Sequence, residues 1–189
     1  MKSIRIGVVL FLAAAAFAQS GAQKPSTTPE NINTAMIAYN KEIYSHLQMI
    51  LLRSAEKMPE ENYTFKPVDG VRTYGQILGH LADAQYTFCS IALGEKDPDL
   101  NIEKTKTSKA DLTSALKAAF SYCGKAYDSM TENTATQRVK LMGGDTPKLG
   151  VLNVNSLHSV EHYGNLVTYM RMKGIVPPTS EQPMPGAKK

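Results

Sequence analysis

His158 and His162 stand four residues apart in an apolar stretch with helical patterning, and His80 stands in an earlier stretch of the same character. Residues at i and i+4 share one face of an α-helix, so this pair can aim two imidazoles at one ion. A third imidazole from a neighbouring helix completes a three-histidine site with one position left for water or substrate. The chain has 4 histidines, and only His46 falls outside this scheme. His46 lies off the Tyr44, Leu47, Ile50, Leu51 stripe of its own segment and is expected to face water. Imidazole suits Zn, Ni, Cu and Fe alike; the expected cofactor is a divalent transition metal, with Zn, Ni or Fe as the candidates. Three neutral ligands leave the ion its full charge, which acidifies bound water and polarises a substrate oxygen.

Other side chains near the triad have chemistry to offer. Glu161 is the candidate general base. It directly precedes His162, so on a helix it is turned away from that ligand by about 100°; a solvated carboxylate, an ion pair or a hydrogen bond to a ligand are the alternatives. Asp83 follows His80 by three residues and can reach the same neighbourhood or lie at the surface. Tyr163, Asn165 and Tyr169 are candidate pocket residues, with bundle packing the competing role for the two tyrosines. His158-Ser-Val-Glu161-His162 also fits the His-x-x-Glu-His signature of one peptidase class, which needs a distant third ligand and a far larger scaffold. No Gly-rich phosphate loop, Ser-His-Asp arrangement or Cys-x-x-Cys pair offers a different reaction.

Four segments must position these residues. Ile37, Tyr44, Leu47, Ile50, Leu51 and Met58 recur at helical spacing and predict a helix over 33–57, stopped at Met58-Pro59. Residues 60–72, with Pro67 and Asp69-Gly70, read as a loop. Thr73 can cap a second helix through Ile77, Leu81 and Phe88, ended by Gly94 and Pro98. Ser108 followed by Asp111 opens a third through Leu116, Cys123 and Tyr127, with Asp where a capping box prefers Glu. Residues 131–150 read as irregular, and no strand pattern competes with the helices. A fourth helix is expected over 152–173, closed by Gly174. Four long amphipathic helices in one small domain predict an all-α four-helix bundle.

The N-terminus carries a secretory pattern: Lys2 and Arg5, the apolar run 6–17, and Ala16-Phe17-Ala18 as a cleavage site. Residues 1–18 are therefore expected to be a signal peptide, 19–32 a flexible leader, 33–178 the bundle, and 179–189 a disordered tail. The run is shorter than the ~20 residues of a membrane span, and no later segment is longer, so no stable membrane association is expected after cleavage. The formal charge of +4 falls to +2 once Lys2 and Arg5 are removed. Without a basic stripe interleaved with aromatics, nothing points to nucleic acid. The expected partner is a small-molecule substrate, and spare apolar surface leaves room for a homodimer. Export permits a disulfide between the 2 cysteines, Cys89 and Cys123; two reduced core cysteines are the alternative.

Three stretches carry a resemblance: Pro59-Glu-Glu-Asn-Tyr-Thr-Phe-Lys-Pro67, Thr73-Tyr-Gly-Gln-Ile-Leu-Gly-His80-Leu-Ala-Asp83, and His158 through Gly174. The chain resembles the DinB-like superfamily of four-helix metalloproteins, and its exported members in particular. The resemblance implies a divalent metal held by one histidine of the second helix and two of the last, here His80, His158 and His162. The family's members differ in reaction, so the expected activity rests on the site itself: a metal-bound water or open coordination position acting on a small substrate by hydrolysis or group transfer, with a non-catalytic metal-binding or interaction role as the alternative. It also implies an up-down-down-up bundle with a crossover between helices 2 and 3. Residues 95–108 can span roughly 46 Å when extended, enough to return along a helix of about 33 Å. Counted from Thr73 and Ser108, Cys89 and Cys123 would then lie at nearly equal heights on parallel helices, whereas an antiparallel pair would hold them beyond disulfide reach.

Overall fold

Helix α1 (Ile32–Lys57) buries Tyr44, Leu47, Ile50, Leu51, Ser54 and Ala55, the i, i+3, i+7 spacing of one helical face. It is the first element in a computed structural model that describes residues 32–181. The expected signal peptide, most of the leader and the last eight residues lie outside the described residues.

Helix α2 (Tyr74–Leu93) starts at a full capping box. Thr73 Oγ1 accepts from the Gln76 amide at 3.2 Å, and Gln76 Oε1 accepts from the Thr73 amide at 2.8 Å. Gly94 ends it with φ 78°, a left-handed position that glycine fills without strain. The connection that follows contains a single helical turn, α3 (Ile102–Thr105). Helix α4 (Lys109–Asp128) begins where the Ser108 hydroxyl accepts from the Asp111 amide at 3.1 Å. A short turn, α5 (Glu132–Ala135), leads into the last long helix, α6 (Lys148–Met172).

Residues 131–150 depart from the irregular segment expected. Strands β1 (Arg138–Leu141) and β2 (Gly144–Pro147) pair antiparallel, with Leu141 opposite Gly144. Met142 and Gly143 both have positive φ, 49° and 83°, the signature of a two-residue turn whose twist matches that of a hairpin. The turn escaped notice because methionine seldom occupies the first of these positions. Strand β2 runs straight into α6, which therefore begins four residues earlier than its apolar pattern indicated.

Each long helix has two long neighbours: α1 and α2 both lie against α4 and α6, so α1 and α2 occupy opposite corners. The directions follow from side-chain contacts. Tyr74 at the start of α2 reaches Ser54 O near the end of α1 at 2.9 Å. Tyr44, early in α1, donates to Phe120 O and stacks on Tyr127, late in α4. Arg72 O, just before α2, accepts from Tyr169 near the end of α6. Helices α2 and α4 run parallel: a Cβ on Gly75 would lie 3.1 Å from Leu112 near their starts, and Cys89 meets Cys123 further along. The order is thus up-down-down-up, as the resemblance implied.

The core is aromatic at the α1–α4 seam, where the Tyr44 and Tyr127 ring centroids are 4.0 Å apart. The hydroxyls of Tyr44, Tyr63, Tyr74 and Tyr127 each donate to a buried backbone carbonyl, so the rings enter the interior without stranding a polar atom. Cys89 and Cys123 lie at disulfide distance with 5.1 Å between their Cα atoms, inside the usual range for the bond. Among the described residues, no helix is long and apolar enough to cross a membrane.

Candidate metal centre

The α2–α6 seam gathers the three histidines. His80 sits on the second turn of α2, and His158 and His162 lie one turn apart on α6. Antiparallel packing brings the two helices to the same height there. The Nε2 atoms of His80 and His158 are 3.0 Å apart, and those of His158 and His162 are 3.2 Å apart. Two nitrogens bound tetrahedrally at ~2.0–2.1 Å from one zinc are separated by about 3.3 Å. These two spacings fall just inside that figure, and the ligand nitrogens of all three rings lie within 4.8 Å of one another, so the group could hold a divalent ion. His46, by contrast, is exposed on α1, as its position off the apolar stripe required.

The electrostatics favour neutral imidazoles. Burial pushes His158 down to about 4, helped by His162, His80 and Arg72 nearby. Burial also lowers His80, with the Arg72 guanidinium adding to it and Glu103 opposing it. His162 is lowered first by burial and then by His80. At neutral pH each ring therefore has a lone pair to give, which is the form a metal requires.

The far nitrogens have unequal surroundings. Nδ1 of His80 lies 3.2 Å from Glu103 Oε2 and 3.5 Å from Arg72 Nη2. Nδ1 of His162 lies 3.3 Å from the Asn165 amide. Nδ1 of His158 is buried and has no hydrogen-bond partner among the described residues; the Phe88 ring packs edge-on against its imidazole.

A cavity of about 610 Å³ opens beside the triad, with His162, Arg72, Glu103, Glu161, Asn165 and Tyr169 in its wall. Of the residues singled out by sequence, Glu161, Asn165 and Tyr169 thus reach the cavity. Glu161 is exposed. Tyr169 uses its hydroxyl to hold Arg72 O at 2.9 Å. Tyr163 lies elsewhere: its hydroxyl meets Thr179 Oγ1 at 2.9 Å and the Thr179 amide at 3.2 Å, which pins the chain after α6 against the bundle. Asp83 faces the crossover, where its two oxygens accept from the amides of Ile102 and Glu103 at 2.8 and 2.9 Å.

Arg72 and Glu103 are the site residues that sequence reasoning passed over. Arg72 directly precedes the helix cap at Thr73, so its closeness to the second helix was legible. Glu103 carried no signal, because only the folding of the crossover onto α2 brings it to His80.

Comparison with solved structures finds the same architecture. A DinB-like protein from Bacillus cereus superposes with a TM-score of 0.65 at 16% identity, over 72% of this chain and 92% of its own. A DinB-like protein from Bacillus subtilis gives a TM-score of 0.60 at 22% identity, over 76% of this chain and 99% of its own. No curated protein matches the sequence. The family model of the DinB superfamily matches residues 43–166, a span that runs from α1 into the last turns of α6 and takes in all three histidines. By that match the chain belongs to the DinB superfamily.

Proposed function

We propose that this is an exported, divalent-metal-binding protein whose three-histidine site acts on a small substrate by hydrolysis or group transfer. The observation that carries the reading is the convergence of the Nε2 atoms of His80, His158 and His162 at the side of an open cavity. A divalent ion held there supplies Lewis-acid polarisation of a substrate oxygen. The chain's own residues bind and orient. Tyr169 fixes the backbone at Arg72, Asn165 holds the ring of His162, and Glu161 places its carboxylate in the cavity wall near the His162 imidazole, where it would serve as the base. Export is supported by Cys89 and Cys123 at disulfide distance, a pairing that persists in oxidising compartments.

A non-catalytic metal-binding role is the second reading. It is favoured by the way the cavity's polar groups are spent on each other: Arg72 on Glu103, Gln76 on Thr73, and Tyr169 on Arg72. Elemental analysis of protein purified from its export compartment, without chelators or a histidine tag, tests the metal site that both readings share, and turnover in the substrate screen that follows separates them. About one equivalent of Zn, Ni or Fe, lost in the His80→Ala/His158→Ala/His162→Ala variant, supports the site and names the ion for a substrate screen. No metal and no uptake on titration refutes it.

A further inference from the structure

We infer that Glu103, on the crossover between α2 and α4, is a positioning residue for the metal ligand His80. Three independent contacts bring it there. Glycine at position 79 lets the chain approach: a Cβ on Gly79 would meet Glu103 Cα at 2.6 Å, closer than atoms can pack, with Glu103 N crowded at 3.0 Å. The Asp83 carboxylate, one turn further along α2, accepts from the amides of Ile102 and Glu103 and so caps the single turn of α3. Arg72 donates from Nε to Glu103 Oε1 at 2.8 Å. These contacts leave Glu103 Oε2 at 3.2 Å from Nδ1 of His80.

A carboxylate can only accept, so Nδ1 of His80 carries the ring proton and Nε2 presents its lone pair toward His158 and His162. Arg72 Nη2, at 3.5 Å from the same nitrogen, is too far to compete and is already tied to Glu103 through Nε. Hydrogen bonds of this kind fix the tautomer and raise the basicity of a ligating imidazole. His80 is the one histidine of the triad with a carboxylate on its far nitrogen; His162 has an amide and His158 nothing. Through Glu103, the crossover that merely connects two helices becomes part of the metal site. Coupling of this kind is reciprocal: docking of α3 strengthens metal binding, and metal binding tightens the docking of α3.

The inference rests on the metal reading proposed above, and its test keeps the two apart. Zn²⁺ is titrated against a chromophoric chelator with the wild type, Glu103→Gln, Glu103→Ala and Gly79→Ala. The Glu103→Ala variant is expected to bind Zn²⁺ about 10–100-fold more weakly. Glu103→Gln, which keeps an acceptor without the charge, is expected between the two. Gly79→Ala leaves Glu103 intact but displaces it, so it should match Glu103→Ala. Amide exchange supplies a second readout. The Ile102 and Glu103 amides should exchange more slowly on adding Zn²⁺ to the wild type, with no such slowing in Glu103→Ala. Zn²⁺ binding of equal strength in all four proteins overturns the role of Glu103 and leaves the triad standing. A wild type that takes up no Zn²⁺ overturns both.

Discussion

Joining Cys89 to Cys123 should contribute more to stability than any other single linkage in the bundle, and its size can be worked out. The two residues are separated by 34 positions along the chain. The crossover folds that length back so that α2 and α4 run parallel. A bond there removes loop-closure entropy from the unfolded chain of about 12–13 cal/mol/K, or about 3.8 kcal/mol at 25 °C. Both sulfurs are fully buried between the helices, and the Cα separation of 5.1 Å is ordinary for the bond, so the backbone need not move to form it. The Cys89→Ala/Cys123→Ala variant should lose this amount plus about 1 kcal/mol for the missing buried sulfurs. Wild type reduced while unfolded and refolded in reductant keeps the sulfurs and isolates the cross-link. For a domain of this size the loss corresponds to a drop of roughly 8–15 °C in melting temperature. The assay is urea unfolding followed by circular dichroism, with oxidised wild type, reduced wild type and the double variant side by side. Coincident midpoints for the oxidised and reduced protein would refute the entropic argument. Two titratable thiols in protein taken from an oxidising compartment would remove its premise.

Other perturbations test separate parts of the molecule. Asn155 is fully buried and donates to Gln85 Oε1 at 3.1 Å, with Tyr127 Oη and Cys123 Sγ also in reach. Asn155→Leu strands the Gln85 oxygen and should cost about 1–3 kcal/mol in chemical denaturation. The Gln85→Leu/Asn155→Leu pair should cost less than the sum of the single changes; strict additivity would mean that the two amides do not interact. Tyr74→Phe removes one buried hydroxyl whose acceptor, Ser54 O, keeps the Met58 amide, so the loss should stay near 1 kcal/mol in the same assay. Burial raises Tyr63 to about 12 and lifts Tyr44 and Tyr74 further above the usual 10. Below pH 10 these phenols are protonated in both folded and unfolded chains. Above it the unfolded chain releases protons that the fold retains, so stability should fall as pH rises from about 10 upward. Ultraviolet titration of tyrosinate should show these rings ionising only with unfolding; a normal titration near pH 10 in the folded protein would contradict their burial.

The helices and the triad were legible in the sequence because the information they need is local. The four-residue interval between His158 and His162 fixes their common face, and Thr73, Gly94 and Gly174 mark helix ends by their own backbone chemistry. What escaped is tertiary or conformationally unusual. Glu103 reaches His80 only because Gly79 lacks a side chain, and Asp83 serves the crossover amides instead of facing the cavity. The hairpin at Met142-Gly143 depends on a left-handed methionine that no propensity favours. Tyr163 shows the limit of adjacency: one residue beyond His162 on the helix, its ring turns toward Thr179 and away from the cavity.

The square arrangement of helices separates the frame from the reading head. The stacked tyrosines that fill the interior lie where α1 meets α4, while all three histidines sit on the opposite seam between α2 and α6. The cavity wall is drawn largely from the exposed run Gly70–Arg72 before α2 and the outer face of α6 at Glu161 and Asn165. Substitutions there alter the shape and charge of the cavity and leave the stacked tyrosines untouched. The wall can therefore vary one surface residue at a time with the fold inherited unchanged, except at Arg72 and Asn165, whose contacts to Glu103 and His162 tie the wall to the histidine cluster.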